Sequence, residues 1–354
     1  MMSMPPGTKH PPRSPACDSR IAVECFPRAS MEAKAKYGCG MIANPAPIRT
    51  DEEVEKQFLA NGCLKHEAMC NGCCNPAGAP GEPQGDGSCC YAFCAGSCCG
   101  RPLIIDGVIQ RAGVEPRRDW LRAFAPAETH ARIATEWLED ARMEHASIAS
   151  FARFTLDLLA FGAPAALVEG AQRAALEEVE HARLCFGLAA RFGAGECGPS
   201  PLSAAGIAAA ASLWDATLAA FDEGCVGETL AALQARAAFE RAKDPEVRRA
   251  LELIAEQEGE HAALAWRFVT WAAGRLGDAL ARELERRVQR LAAVAEAGEE
   301  TEVAAVVAEL HAAGRLTAGD KQRIAVAAVR EVVTPCLGAL LGARNDAVRA
   351  ASEA

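Results

Sequence analysis

The chain has 354 residues, half of them hydrophobic, and 47 Asp and Glu against 37 Lys and Arg give a formal net charge of −10. That length exceeds what one minimal core needs and is enough for two or three units. The acidic balance argues against a nucleic-acid partner and against anionic membrane surfaces, both of which call for clustered Lys and Arg.

In chain order, residues 1–62 read as a largely disordered or irregular segment. Pro5, Pro6, Pro11, Pro12 and Pro15 leave little to bury, and a short helix is expected only over Asp51–Leu59. The N-terminus lacks the apolar stretch of a secretory signal, so a cytoplasmic location is the default expectation. Residues 63–122 form a cysteine-rich module without helical or strand period, except for a hairpin signal. There Leu103–Ile105 and Val108–Gln110 flank Asp106-Gly107.

From about residue 126 the composition turns to Ala, Leu, Glu and Arg at helical spacing. Four helices are expected over 126–274. The first spans roughly 128–161, ended by Gly162 and Pro164, and the second roughly 165–192. The third runs to about Lys243, broken at Asp244-Pro245, and the fourth spans about 246–273. Residues 275–354 read as a C-terminal helical extension. The most apolar stretches, Ile207–Phe221 and Ile324–Leu341, carry Asp215 and Arg330-Glu331. They fall short of about 20 clean apolar residues, so no membrane span is expected.

Twelve of the sixteen cysteines lie between Cys17 and Cys99. Cys63, Cys70, Cys73, Cys74, Cys89, Cys90, Cys94, Cys98 and Cys99 crowd one segment. The adjacent pairs favour a disulfide framework in an oxidising compartment, and Cys70-Asn-Gly-Cys73 is the best half-site for a thiolate metal centre. Cys185, Cys197, Cys225 and Cys336 read as small buried apolar residues.

The pattern richest in chemistry occurs twice. Residues 178–184 read Glu-Val-Glu-His-Ala-Arg-Leu and residues 258–264 read Glu-Gly-Glu-His-Ala-Ala-Leu. In each copy a carboxylate and an imidazole stand at i and i+3, on one helical face. Each copy follows a helix with its own candidate carboxylate, Glu144 on the first and Glu228 on the third. The two arms of each antiparallel pair are nearly equal, so the four elements bring their ligands to one height. Burying four carboxylates without cations is costly, which favours metal binding over a solvated face. Glu139, Asp140 and Glu223 are rivals for the two helix-borne positions.

One Glu from each of two helices, plus Glu-x-x-His from each of two others, resembles the ferritin-like superfamily of di-metal bundles, over roughly residues 128–273. The resemblance implies a mainly α fold: a ferritin-like four-helix bundle, the C-terminal extension and the irregular cysteine-rich N-terminal region. It implies Glu144, Glu178, His181, Glu228, Glu258 and His261 as ligands of two iron ions, with manganese or zinc as alternatives. Having both histidine motifs is similar to rubrerythrin-like proteins and di-iron oxygenases rather than storage ferritins. No rubredoxin-type Cys-x-x-Cys pair follows the bundle.

Among the neighbours, His145, Ser147 and Glu177 are candidates to support the ligands from behind, although Ser147 more readily bonds back to its own helix and Glu177 reads first as a surface charge. Glu180 and Glu260 read as surface charges, and His311 as a surface residue. Tyr37 and Tyr91 lie outside the bundle, which argues against a tyrosyl-radical generator. The expected function is an oxidoreductase activating O2 or peroxide, with an electron donor and a substrate that the sequence does not specify. The alternative is a non-catalytic metal-binding or partner-docking protein on the same scaffold. Alanine-rich helix faces are compatible with a homodimer.

Overall fold

The computed structural model describes residues 21–26, 54–56, 58–65, 75–76, 82–85, 87, 89–94, 101–105, 108–294 and 303–342. The chain divides into two compact units, one made of 1–96 with 107–109, the other of 97–106 with 110–354.

In the first unit, β1 (Ile21–Phe26), β2 (Asn75–Pro76), β3 (Glu82–Pro83) and β4 (Cys89–Cys94) form an antiparallel sheet around β4. Its register runs from Ile21 opposite Cys94 to Phe26 opposite Cys89. A strand at 21–26 replaces the irregular structure expected there. Ile21, Val23 and Phe26 have the β-branched and aromatic character that strands favour, but β1 is stable only against a partner far along the chain. Of the helix expected over Asp51–Leu59, residues 54–55 are helical, and Phe58 already bridges to Leu64. Cys63 and Cys89 form a disulfide. Cys90 and Cys94 lie on β4, whereas Cys70, Cys73, Cys74, Cys98 and Cys99 lie outside the described residues.

The hairpin signal near residue 106 coincides with β5 (Ile104–Ile105) and β6 (Val108–Ile109).

The second unit is helical. Its first helix, α1 (Ala131–Ala160), is capped by His130, whose Nδ1 accepts from the Ile133 amide. Gly162, at φ +65°, supplies the left-handed turn that reverses the chain into α2 (Ala165–Ala189). A π-helical turn, Ala190–Ala194, ends that arm. The chain then passes through β8 (Cys197–Pro199), which pairs antiparallel with β7 (Val114–Pro116), and reaches α3 (Leu213–Ala219). A second π-helical stretch, Ala220–Glu228, leads into α4 (Thr229–Arg241).

The following helix, α5 (Pro245–Val294), starts from Asp244, whose carboxylate accepts from the Glu246 and Val247 amides. It breaks at Gly277, a few residues beyond the end expected near residue 273. Next come α6 (Ala304–Ala312) and α7 (Ala318–Ala328), the latter continuing through a π turn to residue 342. This last helix, residues 318–342, is long and apolar enough by length and composition to cross a membrane, although Arg330 and Glu331, exposed and paired at 2.7 Å, interrupt it.

Two apolar clusters make the core of this unit. One gathers Ile133, Trp137, Phe186, Leu188, Val247, Leu251 and Leu310; the other gathers Phe151, Phe154, Leu158, Phe221, Phe268 and Leu280. Each of the four helical arms crosses from one cluster to the other, and each has its candidate ligands at the crossing. Along α1, Ala141 belongs to the first cluster and Phe151 to the second, with Glu144 between them. Along α5, Ile254 and Leu264 likewise flank Glu258 and His261. Ala174 and Cys185 flank Glu178 and His181 in the opposite order, and Cys225 and Ala235 do the same for Glu228. So α1 and α5 run one way, while α2 and the α3–α4 arm run the other. Two consecutive arms of the same direction require a long crossover, which is residues 195–212.

The C-terminal extension packs on this core through Leu310, Leu316, Val333 and Leu337. Arg315 fixes it to α1. Its guanidinium lies 4.3 Å above the Trp137 ring and bonds Asp140 at 2.6 Å and Glu136 at 3.2 Å.

Candidate metal centre

The six expected ligands come from four helical segments and meet. Glu144, Glu178, His181 and Glu258 form one group, and Glu178, Glu228, Glu258 and His261 a second; within each, the ligand atoms lie within 4.8 Å of one another. Glu178 and Glu258 belong to both groups. Relative exposure is 0% for Glu178, His181 and Glu228 and 1% for Glu258 and His261. The Glu144 side chain is 16% exposed and is the solvent-facing edge of the cluster.

The Glu-x-x-His spacing sets this geometry locally. One turn of helix separates Glu178 from His181 and Glu258 from His261, so each pair faces the same way. His181 Nδ1 stands 3.6 Å from Glu178 and 3.4 Å from Glu258; His261 Nδ1 stands 3.2 Å from Glu178 and 3.5 Å from Glu258. None of these contacts has hydrogen-bond alignment. Both Nδ1 atoms, both oxygens of Glu178 and of Glu228, and Glu258 Oε2 are buried without a hydrogen-bond partner. Orphaned acceptors of this number are costly in a protein interior unless a cation lies among them. Oxygen and neutral imidazole donors of this kind fit iron, manganese or zinc.

The outer faces of the imidazoles are held crosswise. His181 on α2 directs Nε2 to Gln257 Oε1 on α5 at 2.8 Å, and His261 on α5 directs Nε2 to Glu177 Oε2 on α2 at 2.8 Å. With oxygen acceptors behind them, both rings donate from Nε2 and turn the Nδ1 lone pair inward. The sequence marks Glu177 for such a role but not Gln257. The signal was present, because Gln257 precedes Glu258 as Glu177 precedes Glu178.

Charge balance in the metal-free cluster follows from burial. Burial first, then the neighbouring Glu178 and Glu258 charges, pushes Glu144 well above the usual carboxylate range. Burial and then Glu258 do the same to Glu228. Burial and Glu258 also oppose ionisation of Glu178, but the two imidazoles outweigh them and hold it low; Glu258 is held low by the same pair against its own burial. Burial would lower both histidines, yet the surrounding carboxylates raise them instead. A cation placed among these groups would compete with the protons that these shifts favour.

The rival carboxylates are satisfied elsewhere. Glu139 pairs with Arg111 and Arg142, each at 2.7 Å, and Asp140 with Arg315. Glu223 takes Arg153 at 2.7 Å and lies 3.6 Å from Arg101. Glu180 pairs with Arg122 and Arg183 on the surface, and Glu260 is exposed.

Two of the expected supporting residues lie away from the cluster. His145 packs edge-on against Trp120 with ring centres 5.0 Å apart, and burial, then Arg117, lowers its pKa. The 100° step from Glu144 turns it outward. Ser147 donates to Arg101 O at 2.9 Å and Met143 O at 3.1 Å, the second being a bond back to its own helix. His311 pairs with Asp320 at 2.6 Å, next to the Thr317 capping box of α7.

Glu228 ends the Ala220–Glu228 π stretch, where an extra residue per turn re-aims the side chains. Periodicity alone treats this arm as a regular helix. Its close approach to α5 depends on Gly224, where an added Cβ would lie 2.4 Å from the Ala265 side chain. Phe151 lines the other side, its ring edge-on to His261 at 5.0 Å.

The chain matches no family model, no curated protein sequence and no solved structure.

Proposed function

We propose that the second unit is a ferritin-like four-helix bundle holding a di-metal centre, and that the protein is an oxidoreductase activating O2 or peroxide there. The observation that carries this reading is the pair of four-ligand groups sharing Glu178 and Glu258. The single long crossover supports it, because two same-direction arms joined in this way are the connectivity of ferritin-like folds. The cluster falls at the junction of two apolar clusters, and five of its six ligands are at most 1% exposed.

Two iron ions bound there would supply one-electron redox steps and Lewis acidity. Glu178 and Glu258 would hold both ions. Glu144 and His181 would complete one position, Glu228 and His261 the other. Gln257 and Glu177 keep the imidazoles oriented, Phe151 packs edge-on against His261, and Glu144 is the ligand nearest solvent. Binding displaces the protons that the metal-free cluster carries.

The test is metal content on iron-reconstituted protein, beside a Glu178→Ala/Glu258→Ala double variant, with spectra before and after O2. About two irons per chain, lost in the variant, with a new near-ultraviolet charge-transfer band on oxidation, is the expected result. Iron content unchanged by the substitutions overturns the metal centre. Tight metal binding with no spectral response to O2 or peroxide overturns the redox role and leaves metal binding as the function.

A further inference from the structure

The two halves of the cluster are nearly symmetric in their ligands and unequal in what surrounds them. The group with Glu228 and His261 is entirely buried, whereas the group with Glu144 and His181 includes the partly exposed Glu144. The stronger difference lies behind the imidazoles. Both Nε2 contacts are 2.8 Å, and both partners occupy the residue before a shared glutamate, yet one is a carboxylate and the other an amide. A carboxylate behind a ligand imidazole makes the ring a better donor and adds a negative charge facing the cation; an amide oxygen fixes orientation, raises basicity less and adds no charge. Glu177 and Gln257 therefore match in geometry and differ in charge.

We infer that the two metal positions are inequivalent by construction: the Glu228–His261 position is the tight, retained site, and the Glu144–His181 position the weaker, exchangeable one. The chain then takes up its ions in order and can hold two different divalent metals, the more strongly bound one beside Glu177. The inference rests on the metal-centre reading above. It assigns Glu177 and Gln257 as positioning residues that rank the two sites.

Cobalt(II) titration of the metal-free protein, followed by calorimetry and visible absorption, tests it. Two uptake steps are expected. Glu228→Ala removes the tight one and Glu144→Ala the weak one. Glu177→Gln, which makes both partners amides, weakens the tight step about 10–100-fold and narrows the gap. Gln257→Glu narrows it from the other side by strengthening the weak step. Because the two substitutions act in opposite directions, misfolding of one variant leaves the other decisive.

The inference is overturned if Glu177→Gln and Gln257→Glu leave both steps where they were, or if either shifts both steps equally. It is also overturned if Glu144→Ala removes the tight step. A protein that takes up no cobalt, or whose uptake survives Glu178→Ala, instead refutes the metal-centre reading beneath it.

Discussion

Two sets of carboxylates in the helical unit are neutralised in different ways. Glu223 on one side, and Glu136 with Asp140 on another, are tied to arginines, with Arg153 and Arg315 at 2.6–3.2 Å. Glu144, Glu178, Glu228 and Glu258 have no arginine or lysine within ion-pair distance among the described residues. They face each other and two imidazoles. An arginine is a permanent counter-ion, fully charged at all relevant pH, so the first set is fixed structure. Protons and imidazoles are exchangeable counter-charges, so the second set can give them up to a metal. The same residue type is thus a fixed ionic contact in one place and suited to receive a metal in another, and the presence of an arginine partner makes the difference.

The largest effect is expected on adding metal. With free cobalt(II) or zinc at about 1,000 times its Kd, the native state gains about 4 kcal/mol, read as a rise in thermal midpoint. A Glu178→Gln/Glu258→Gln variant shows no such rise. Next comes a contrast within the metal-free protein. Arg153→Ala removes the closer of the two guanidiniums that face the buried Glu223, leaving Arg101 at 3.6 Å, and is expected to cost about 2–3 kcal/mol. Glu228→Gln, at a carboxyl whose burial already disfavours the charge, is expected to change stability by less than about 0.5 kcal/mol. Denaturant unfolding of both variants checks the pair, and an equal loss in both would erase the distinction between the two sets.

A smaller effect is expected at Asp320, which belongs to the fixed class. Burial pushes its carboxyl up, but the His311 ring, the Thr317 backbone and Arg323 outweigh burial and hold it below the usual aspartate value. Its contribution is therefore fully present above the unfolded-state pKa of about 4 and is lost as pH falls below that value. Asp320→Asn is expected to cost about 1 kcal/mol at neutral pH, and the difference from wild type shrinks in acid. The smallest effect is at Glu260, adjacent to the motif but exposed. Glu260→Gln leaves metal content unchanged and stability within about 0.5 kcal/mol.

Much of the candidate site was legible in the chain. Glu178, His181, Glu258 and His261 announce themselves because spacing of three on a helix is a local rule. Glu144 and Glu228 followed from equal hairpin arms. Their rivals could be dismissed only in three dimensions, since Arg315 reaches Asp140 across 175 residues and Arg153 reaches Glu223 across 70. His145 was misplaced because adjacency in sequence is about 100° apart on a helix, whereas Ser147 makes the bond back to its own helix that its position favours. The strand at Ile21–Phe26 was missed because its pairing partner lies more than 60 residues away.

By itself the sequence determined the helical arms, their breaks at Gly162 and Asp244, and the carboxylate–imidazole pairs, all of which depend on side-chain periodicity and local backbone preference. Only the tertiary structure decided which carboxylates lack a permanent counter-ion, and which way the π stretch turns Glu228. It also decided that Glu177 and Gln257 stand behind opposite histidines. These are relations between helices distant along the chain, and their energies come from burial and charge proximity, which exist only once the helices pack.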